Sequence, residues 1–260
     1  MQNEAPVGSA TLRRALDVLE TLGTVEPEGL TAAQVAQRLD MNRVTVHRIL
    51  QSFRARGYVR QEGPGRPYKL GLRLLGLGEE IVANFDVAAV ARSFLQDLVD
   101  RTQETAHLAV LDGAEAVYVA KVESRHAMRL VSHIGARVPL YCSALGKALL
   151  AVSNDGDLER LVPQQSFELR TPRTIAGPEA LLREVALVRD RGFAVDMAEN
   201  ERGVHCVGAA VIGRRNEALA AVSVSGPSER ITRELIDDYA VMVMEAAKAM
   251  GAELGASSRG

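Results

Sequence analysis

Basic side chains are concentrated in one segment of this 260-residue chain. Between residues 41 and 75 there is a single acidic residue, Glu62, against eight basic ones. The basic residues are Arg43, Arg48, Arg54, Arg56, Arg60, Arg66, Lys69 and Arg73. The segment therefore carries a formal charge of +7, which leaves −9 on the rest of a chain whose net charge is −2. So uneven a distribution is typical of a surface that binds a polyanion. The alternative is a solvated helix face, although such faces usually interleave both signs of charge.

A helix predicted in the first part of this segment presents side chains suited to reading DNA. It is predicted over 43–56 and is expected to end at Gly57. Its apolar positions recur at helical spacing and are Val46, Ile49, Leu50 and Phe53. Because a helix fits the major groove, polar residues near its start are expected to contact bases. These are Asn42, Arg43, Thr45 and His47. The residues expected to contact phosphate are Arg48, Arg54 and Arg66.

Two further helices and a hairpin must position that helix. The first is expected to start with Ser9 as its cap, and its apolar positions are Leu12, Leu16, Leu19 and Leu22. Thr31 and Gln34 fit a capping box at the start of the second. Strands at 58–60 and 68–70 flank a Gly/Pro turn with Arg66 at its tip. The sequence thus predicts a winged helix-turn-helix domain over 1–71. Such a domain can also serve only for protein docking, which is the alternative to DNA binding.

Thiol and imidazole groups do not form a catalytic pattern. His205 and Cys206 are adjacent, so on a strand they point to opposite faces. No pair has CxxC or HxxxH spacing, and no phosphate loop or nucleophile elbow is present. The alternative is a thiol-based reductase or redox sensor, because Cys142 precedes a predicted helix start, where a thiol can acidify. We expect a protein that is not an enzyme, with no catalytic residue, metal or cofactor.

The remainder of the chain alternates between helical and extended patterns. A leucine- and glycine-rich stretch at 72–85 predicts a linker helix, whose apolar face packs either on a second copy or on its own domain. Helices are then predicted at 87–102, 143–152, 178–191 and 229–254. Strands are predicted at 105–111, 116–122, 128–132, 193–196, 205–212 and 218–225. The tail at 255–258 is expected to be disordered. These patterns predict an α+β domain over 86–260.

Whole-chain features indicate a cytoplasmic location. No apolar stretch approaches the ~20 residues of a transmembrane helix. The first eight residues lack the basic start and apolar run of a signal peptide. The chain has only two cysteines, which suits a reducing compartment rather than a disulfide framework.

Several ordered blocks of this sequence resemble the IclR family of bacterial transcription regulators. The blocks are RALDVL at 14–19, TVHRIL at 45–50, GYVR at 57–60, YKLG at 68–71, HLAVLDG at 107–113, VPLYCSALGKA at 138–148 and SVSGP at 223–227. The resemblance implies a winged-helix domain joined to a GAF-like effector-binding domain. It also implies binding to double-stranded operator DNA, and homodimers that often pair into tetramers. Control by a small molecule, frequently an organic or aromatic acid, is implied as well.

The resemblance also assigns an effector pocket by position. In the family, backbone N–H groups bind the effector at a turn that matches Ala144 and Leu145, and a helix start offers such groups to a carboxylate. The polar side chains of the pocket match Asp196, Cys206, Ser223 and Ser225. Its apolar lining matches Val138 and Val204. Independently, Ser223 and Ser225 alternate on a predicted strand and so face one side. Met197 and Ala198 depart from the family's usual acidic pattern, and Leu145 is larger than the residue in some relatives, so pocket size or polarity is expected to differ.

Overall fold

The computed structural model describes residues 9–24, 28–63, 65–84, 86–127, 132–213 and 217–257. Contacts between Cα atoms divide the chain into two compact units, Met1–Asn84 and Phe85–Gly260. The division falls between residues 84 and 85, at the end of the stretch predicted as a linker. Each unit has its own hydrophobic core, so the two are described separately.

The first unit is a winged helix-turn-helix. Its helices are α1 (Ala10–Gly23), α2 (Ala32–Arg38), α3 (Arg43–Ala55) and α4 (Arg73–Asn84). Its strands, β1 (Val59–Gln61) and β2 (Tyr68–Leu70), pair as an antiparallel hairpin between α3 and α4. The capping box at the start of α2 is present, since Thr31 accepts from the Gln34 N–H and Gln34 accepts from the Thr31 N–H. Gly57 follows α3 with a φ of 77°, as expected of a glycine at a helix end.

The core of the first unit corrects the predicted face of α1. Val18 and Leu22, one turn apart, are buried against α2 and α3. Leu12 and Leu16 are 59% and 47% exposed, because the Val18–Leu22 stripe turns them away from the core. Ser9 occupies the N-cap position, but its side chain makes no capping hydrogen bond.

The second unit places helices on both faces of one antiparallel sheet. The helices are α5 (Asp86–Thr102), α6 (Ala144–Val152), α7 (Asp155–Leu161), α8 (Pro178–Arg191) and α9 (Ile236–Ser257). The strands are β3 (Thr105–Asp112), β4 (Glu115–Val122), β5 (Arg137–Pro139), β6 (Ala194–Met197), β7 (Val204–Ile212) and β8 (Ala218–Pro227). Their order across the sheet is β5-β4-β3-β8-β7-β6. The α+β prediction is therefore confirmed.

The two faces of this sheet differ in the size of their side chains. One face carries large apolar residues such as Leu108, Val207 and Val222, which pack against α5 and α9. The other face carries Ala109 and Ala221, over which α6 packs, and α8 packs in turn against α6. Small side chains let a helix approach a strand closely. The second face also has a polar end, and that end holds most of the predicted effector residues.

Several predicted boundaries in this unit are wrong. The final helix was expected from residue 229, but a 3₁₀ turn at Arg233–Leu235 precedes it and α9 starts at Ile236. It continues to Ser257, so 255–257 are helical rather than disordered. The sequence patterns did not predict β5 or α7. The strand expected at 128–132 falls almost entirely on 128–131, which lie outside the described residues.

Candidate functional sites

The N-terminus of α3 is set by its own first side chain. Asn42 Oδ1 accepts a hydrogen bond from the Val44 N–H at 2.8 Å, which satisfies one of the donors left open at a helix start. Val46 and Leu50 anchor the opposite side of the helix in the core. As a result the residues predicted to contact bases, Asn42, Arg43, Thr45 and His47, are all exposed.

Arg48, Arg54 and Arg66, which are predicted to contact phosphate, are exposed as well. A side chain of the hairpin accepts a hydrogen bond from Arg54. Arg54 Nη1 donates to Gln61 Oε1 at 3.1 Å, and Gln61 Nε2 donates to the Arg66 carbonyl at 2.7 Å. The wing is therefore tied to α3 through these side chains. Within the described residues, no ion pair engages Arg43, Arg48, Arg54 or Arg66, whereas Arg60 and Lys69 each lie 3.9 Å from Glu62.

The structure adds an arginine that sequence patterns did not single out. A cleft of about 470 Å³ between α1 and α3 is lined by Arg14, Thr45 and Arg48 together with apolar and small residues. Arg14 lies more than thirty positions before Arg48, so only the packing of α1 against α3 brings it to the same surface. The basic face of this unit is therefore wider than residues 41–75.

In the second unit, the start of α6 leaves two backbone donors open. Ser143 caps the helix: its Oγ accepts from the Gly146 N–H at 3.0 Å and donates to the Pro139 carbonyl at 2.6 Å. The N–H groups of Ala144 and Leu145 have no hydrogen-bond partner in the described part of the chain. Unpaired N–H groups at a helix start attract an anion such as a carboxylate.

Close approach of backbones fixes this helix start on the sheet. A Cβ atom on Gly208 of β7 would lie 3.4 Å from Ala144 Cβ, and one on Gly146 would lie 2.4 Å from Leu140 Cα. Both positions therefore suit glycine. The start of α6 therefore lies against β7, and the helix also packs on the neighbouring strand β8.

Strand register brings the predicted polar residues together beside that point. Asp196 pairs with Cys206, and Cys206 pairs with Ser225, so all three share one face of the sheet. Ser223 lies two residues before Ser225 on that face and pairs with Gly208. Asp196, Ser223 and Ser225 are buried.

The two apolar positions of the predicted pocket are placed differently. Val204 starts β7 two residues before Cys206, on the face that carries the polar cluster. Val138 lies on β5, at the sheet edge opposite to β6 and Asp196, and joins the apolar cluster under α6. The structure therefore brings Val204, but not Val138, next to the polar cluster.

Burial controls the protonation of the pocket. Asp196 Oδ1 accepts from the Glu199 and Asn200 N–H groups at 2.7 and 3.3 Å, yet burial and the charge of Glu199 raise the pKa of Asp196 to about 7. Burial likewise raises the pKa of the Cys142 thiol to about 12 and that of Cys206 well above its ordinary value. Both thiols stay protonated near pH 7, which is unfavourable for thiol redox chemistry.

A buried ion pair behind the pocket was not predicted. Lys147 of α6 is 0% exposed, and its Nζ donates to both carboxylate oxygens of Glu199 at 2.7 Å. Glu184 lies 3.7 Å from the same Nζ and pairs with Arg191 at 2.8 Å. The Glu199 N–H also donates to Asp196, so the Lys147–Glu199 ion pair links the turn around Asp196 to α6. The signal in the sequence was a single lysine inside an otherwise apolar helix.

Two negative findings concern the part of the chain that the structure describes. There, no three His, Cys, Asp or Glu side chains come together in a way that could hold a metal ion. No helix among the same residues has both the length and the apolar character needed to cross a bilayer.

Comparison with known proteins matches both units. Residues 11–63 match the model of the IclR helix-turn-helix domain, and residues 79–252 match that of the bacterial transcriptional regulator IclR C-terminal region. The chain is 34% identical over 253 residues to the HTH-type transcriptional regulator KdgR of Escherichia coli K12, covering 97% of this chain and 95% of that protein. It is 31% identical to the transcriptional repressor IclR of the same organism, covering 92% and 87%. The crystal structure of the Thermotoga maritima IclR matches with a TM-score of 0.79 and 31% identity, covering 94% and 98%.

Proposed function

Because this chain belongs to the IclR family of bacterial transcriptional regulators, we propose that it is a sequence-specific DNA-binding regulator controlled by a small carboxylic acid, organic or aromatic. Its relatives are regulators and not enzymes, which confirms the prediction that the chain is not an enzyme. The observation that carries the proposal is the exposed basic face of α3 and the wing, where four arginines have no ion-pair partner among the described residues. Such cations gain most by contacting phosphates, because counterions are then released.

We assign two roles on this face. Asn42, Arg43, Thr45 and His47 contact base edges, since they stand at the exposed start of a helix of the size that fits the major groove. Arg48, Arg54 and Arg66 contact phosphates and set the register of the protein on the duplex.

We assign the effector to the polar end of the sheet in the second unit. The carboxylate accepts from the N–H groups of Ala144 and Leu145, and the rest of the molecule contacts the side chains around it. Those side chains are Asp196, Cys206, Ser223 and Ser225, with Val204 as apolar lining. Val138, which the resemblance gives as a second lining residue, lies at the opposite edge of the sheet and is left out of this assignment. Open N–H donors beside a buried polar cluster support this assignment.

The regulator acts in the cytoplasm as a homodimer that can pair into a dimer of dimers. Each chain has a winged-helix domain over 1–71, a linker helix over 72–85 and an effector-binding domain over 86–260. Two recognition helices must then match the spacing of two half-sites. An effector that prefers one arrangement of the dimer shifts the population toward it and changes that spacing. Whether DNA binding is strengthened or weakened depends on which arrangement fits the operator.

Selection of binding sites from a random double-stranded DNA library tests the function. We expect an enriched sequence with two half-sites and a DNase footprint on it that changes when small carboxylates are added. Failure to enrich any sequence would contradict DNA recognition. A footprint indifferent to every acid that binds would contradict effector control.

A further inference from the structure

His107 lies on β3 within the polar face that carries the proposed effector residues. It pairs across the sheet with Ser223 of β8, and Ser223 pairs in turn with Gly208 of β7. Directly paired residues of neighbouring strands point to the same face of a sheet, so His107 and Ser223 stand side by side. The imidazole is only 1% exposed.

One ring nitrogen of His107 is engaged and the other is not. Nε2 lies 2.8 Å from Ser132 Oγ, and the Ser132 carbonyl accepts from Lys121 Nζ at 2.7 Å. The ring also packs against Tyr118 with a centroid distance of 4.7 Å. These contacts fix the ring orientation. Nδ1 is buried and has no hydrogen-bond partner among the residues that the structure describes. A buried polar atom without a partner costs free energy that a bound ligand can recover.

The chemistry of this nitrogen suits a neutral polar group. Burial, and then the charge of Lys121, lower the pKa of His107 to about 3, so the ring is uncharged near pH 7. An uncharged imidazole offers a hydrogen bond to a hydroxyl group but no positive charge to a second carboxylate. The positive end of the pocket is the start of α6, where the open N–H groups lie.

Sheet geometry sets the distance between the start of α6 and His107. Ala144, at the start of α6, packs on Gly208. Gly208, Ser223 and His107 are consecutive in one cross-strand row, which places His107 about 10 Å from Gly208 across the sheet. Hydrogen bonds of about 2.8 Å at both ends leave roughly 4–6 Å between the two polar groups of a ligand. That span matches a six-membered ring or a chain of similar length.

We propose that His107 Nδ1 binds the distal hydroxyl of a hydroxylated carboxylic acid and thereby selects it over the unsubstituted acid. The proposal rests on the proposed function, because the carboxylate end is assigned to the α6 start. It adds a specificity-determining residue at the opposite end of the ligand.

Matched pairs of acids test the proposal by calorimetric titration of the full chain. The probes are benzoate with 4-hydroxybenzoate, and hexanoate with 6-hydroxyhexanoate. We expect the wild-type protein to bind the hydroxylated member of at least one pair about 10-fold more tightly, as one additional hydrogen bond allows. His107→Gln, whose amide replaces Nε2, should abolish this preference. His107→Asn, whose amide replaces Nδ1, should retain part of it. Affinity for the unsubstituted acid should change little in both variants.

An equal preference in the wild type and His107→Gln would overturn the proposal, since a water molecule would then satisfy Nδ1. Absence of binding by all four acids would overturn it as well. His133→Gln, at an exposed histidine, serves as the matched control. DNA site selection with the same preparation separates the two claims. Enrichment of a sequence without hydroxyl preference leaves the regulator function standing and removes only the role of His107.

Discussion

The two units use charged side chains in opposite ways. On α3 and the wing, Arg43, Arg48, Arg54 and Arg66 stand in solvent without ion-pair partners among the described residues. In the second unit, Lys147 is fully buried and pairs with Glu199, whose side chain is only 13% exposed. Exposed cations release counterions when they meet phosphate, so their contribution depends on salt and little on ligand shape. Buried charges are screened little by salt and act through the geometry they impose. The contrast supports the proposal that the first surface binds a long polyanion and the second site a small molecule.

The test with the largest expected effect removes the buried cation, Lys147. Lys147→Met should lower the free energy of unfolding by about 3–5 kcal/mol, because Glu199 stays buried without its cation. Urea denaturation followed by circular dichroism measures this change. The matched control is Arg137→Met, since Arg137 pairs with Asp112 and Glu115 at the surface and should contribute less than about 1 kcal/mol. Equal losses in the two variants would contradict the contrast.

A second test titrates the pocket. The Asp196 carboxyl has an ordinary pKa of 3.8 and a folded-state pKa of about 7. Between these values the unfolded chain has released a proton that the folded protein retains, so wild-type stability falls as pH rises. Asp196→Asn keeps an oxygen for the Glu199 and Asn200 N–H groups but does not titrate. The variant should therefore gain stability relative to the wild type from about pH 4 to pH 7, by up to about 4 kcal/mol.

Urea denaturation at several pH values measures this difference. Parallel stability curves for the two proteins would show that burial does not hold the proton on Asp196.

A third test separates base reading from phosphate contact on the exposed face. Arg43→Ala should cost about 1–3 kcal/mol on the selected DNA site and relax the preference at one base pair. Arg48→Ala should instead weaken binding to all sequences alike and reduce the slope of log affinity against log salt by about 0.9. Gel-shift titration on selected and scrambled DNA distinguishes them. Identical profiles for the two variants would remove the assigned division of roles.

The smallest effect concerns Asn42, which has a structural and a proposed binding role at once. Asn42→Ala should cost about 1 kcal/mol of stability, because the cap on α3 is lost. Asn42→Asp keeps the capping oxygen and should retain stability, yet it lacks the Nδ2 donor and should bind DNA more weakly. Thermal unfolding and gel shifts on both variants test this. A DNA affinity unchanged in Asn42→Asp would leave Asn42 with its capping role alone.

Signals carried by neighbouring residues were sufficient to predict much of the first unit. The Thr31–Gln34 capping box and the glycine after α3 each act within a few residues, so the sequence shows them directly. The predicted α1 face was wrong in its first half, because leucines at helical spacing define a stripe but not the direction of the neighbouring helices. Leu12 and Leu16 lie on that stripe yet are exposed, whereas Leu22 of the same stripe and Val18 beside it meet the core.

The residues proposed to bind the effector could be grouped from the sequence only by resemblance. Lys147 and Glu199 are 52 positions apart, and no local pattern connects them. The sequence shows a histidine at position 107 but not its environment. Contacts with Ser132 and Tyr118 and the pairing with Ser223 decide where the unpaired Nδ1 lies. Long-range pairing of strands places these groups, which is why sequence periodicity predicted the strands and not the pocket.

The seating of α6 on β7 bears on attempts to convert this protein into a biosensor for a new compound. In a library that diversified every position near the pocket, any side chain at Gly146 would collide with the backbone of Leu140, and any at Gly208 would crowd Ala144 and the Val222 carbonyl. Those two positions are best held constant while His107 and residues facing the distal end of the ligand are varied. Every library member would then keep the carboxylate contact proposed for the start of α6, and selection would act only on the remainder of the molecule.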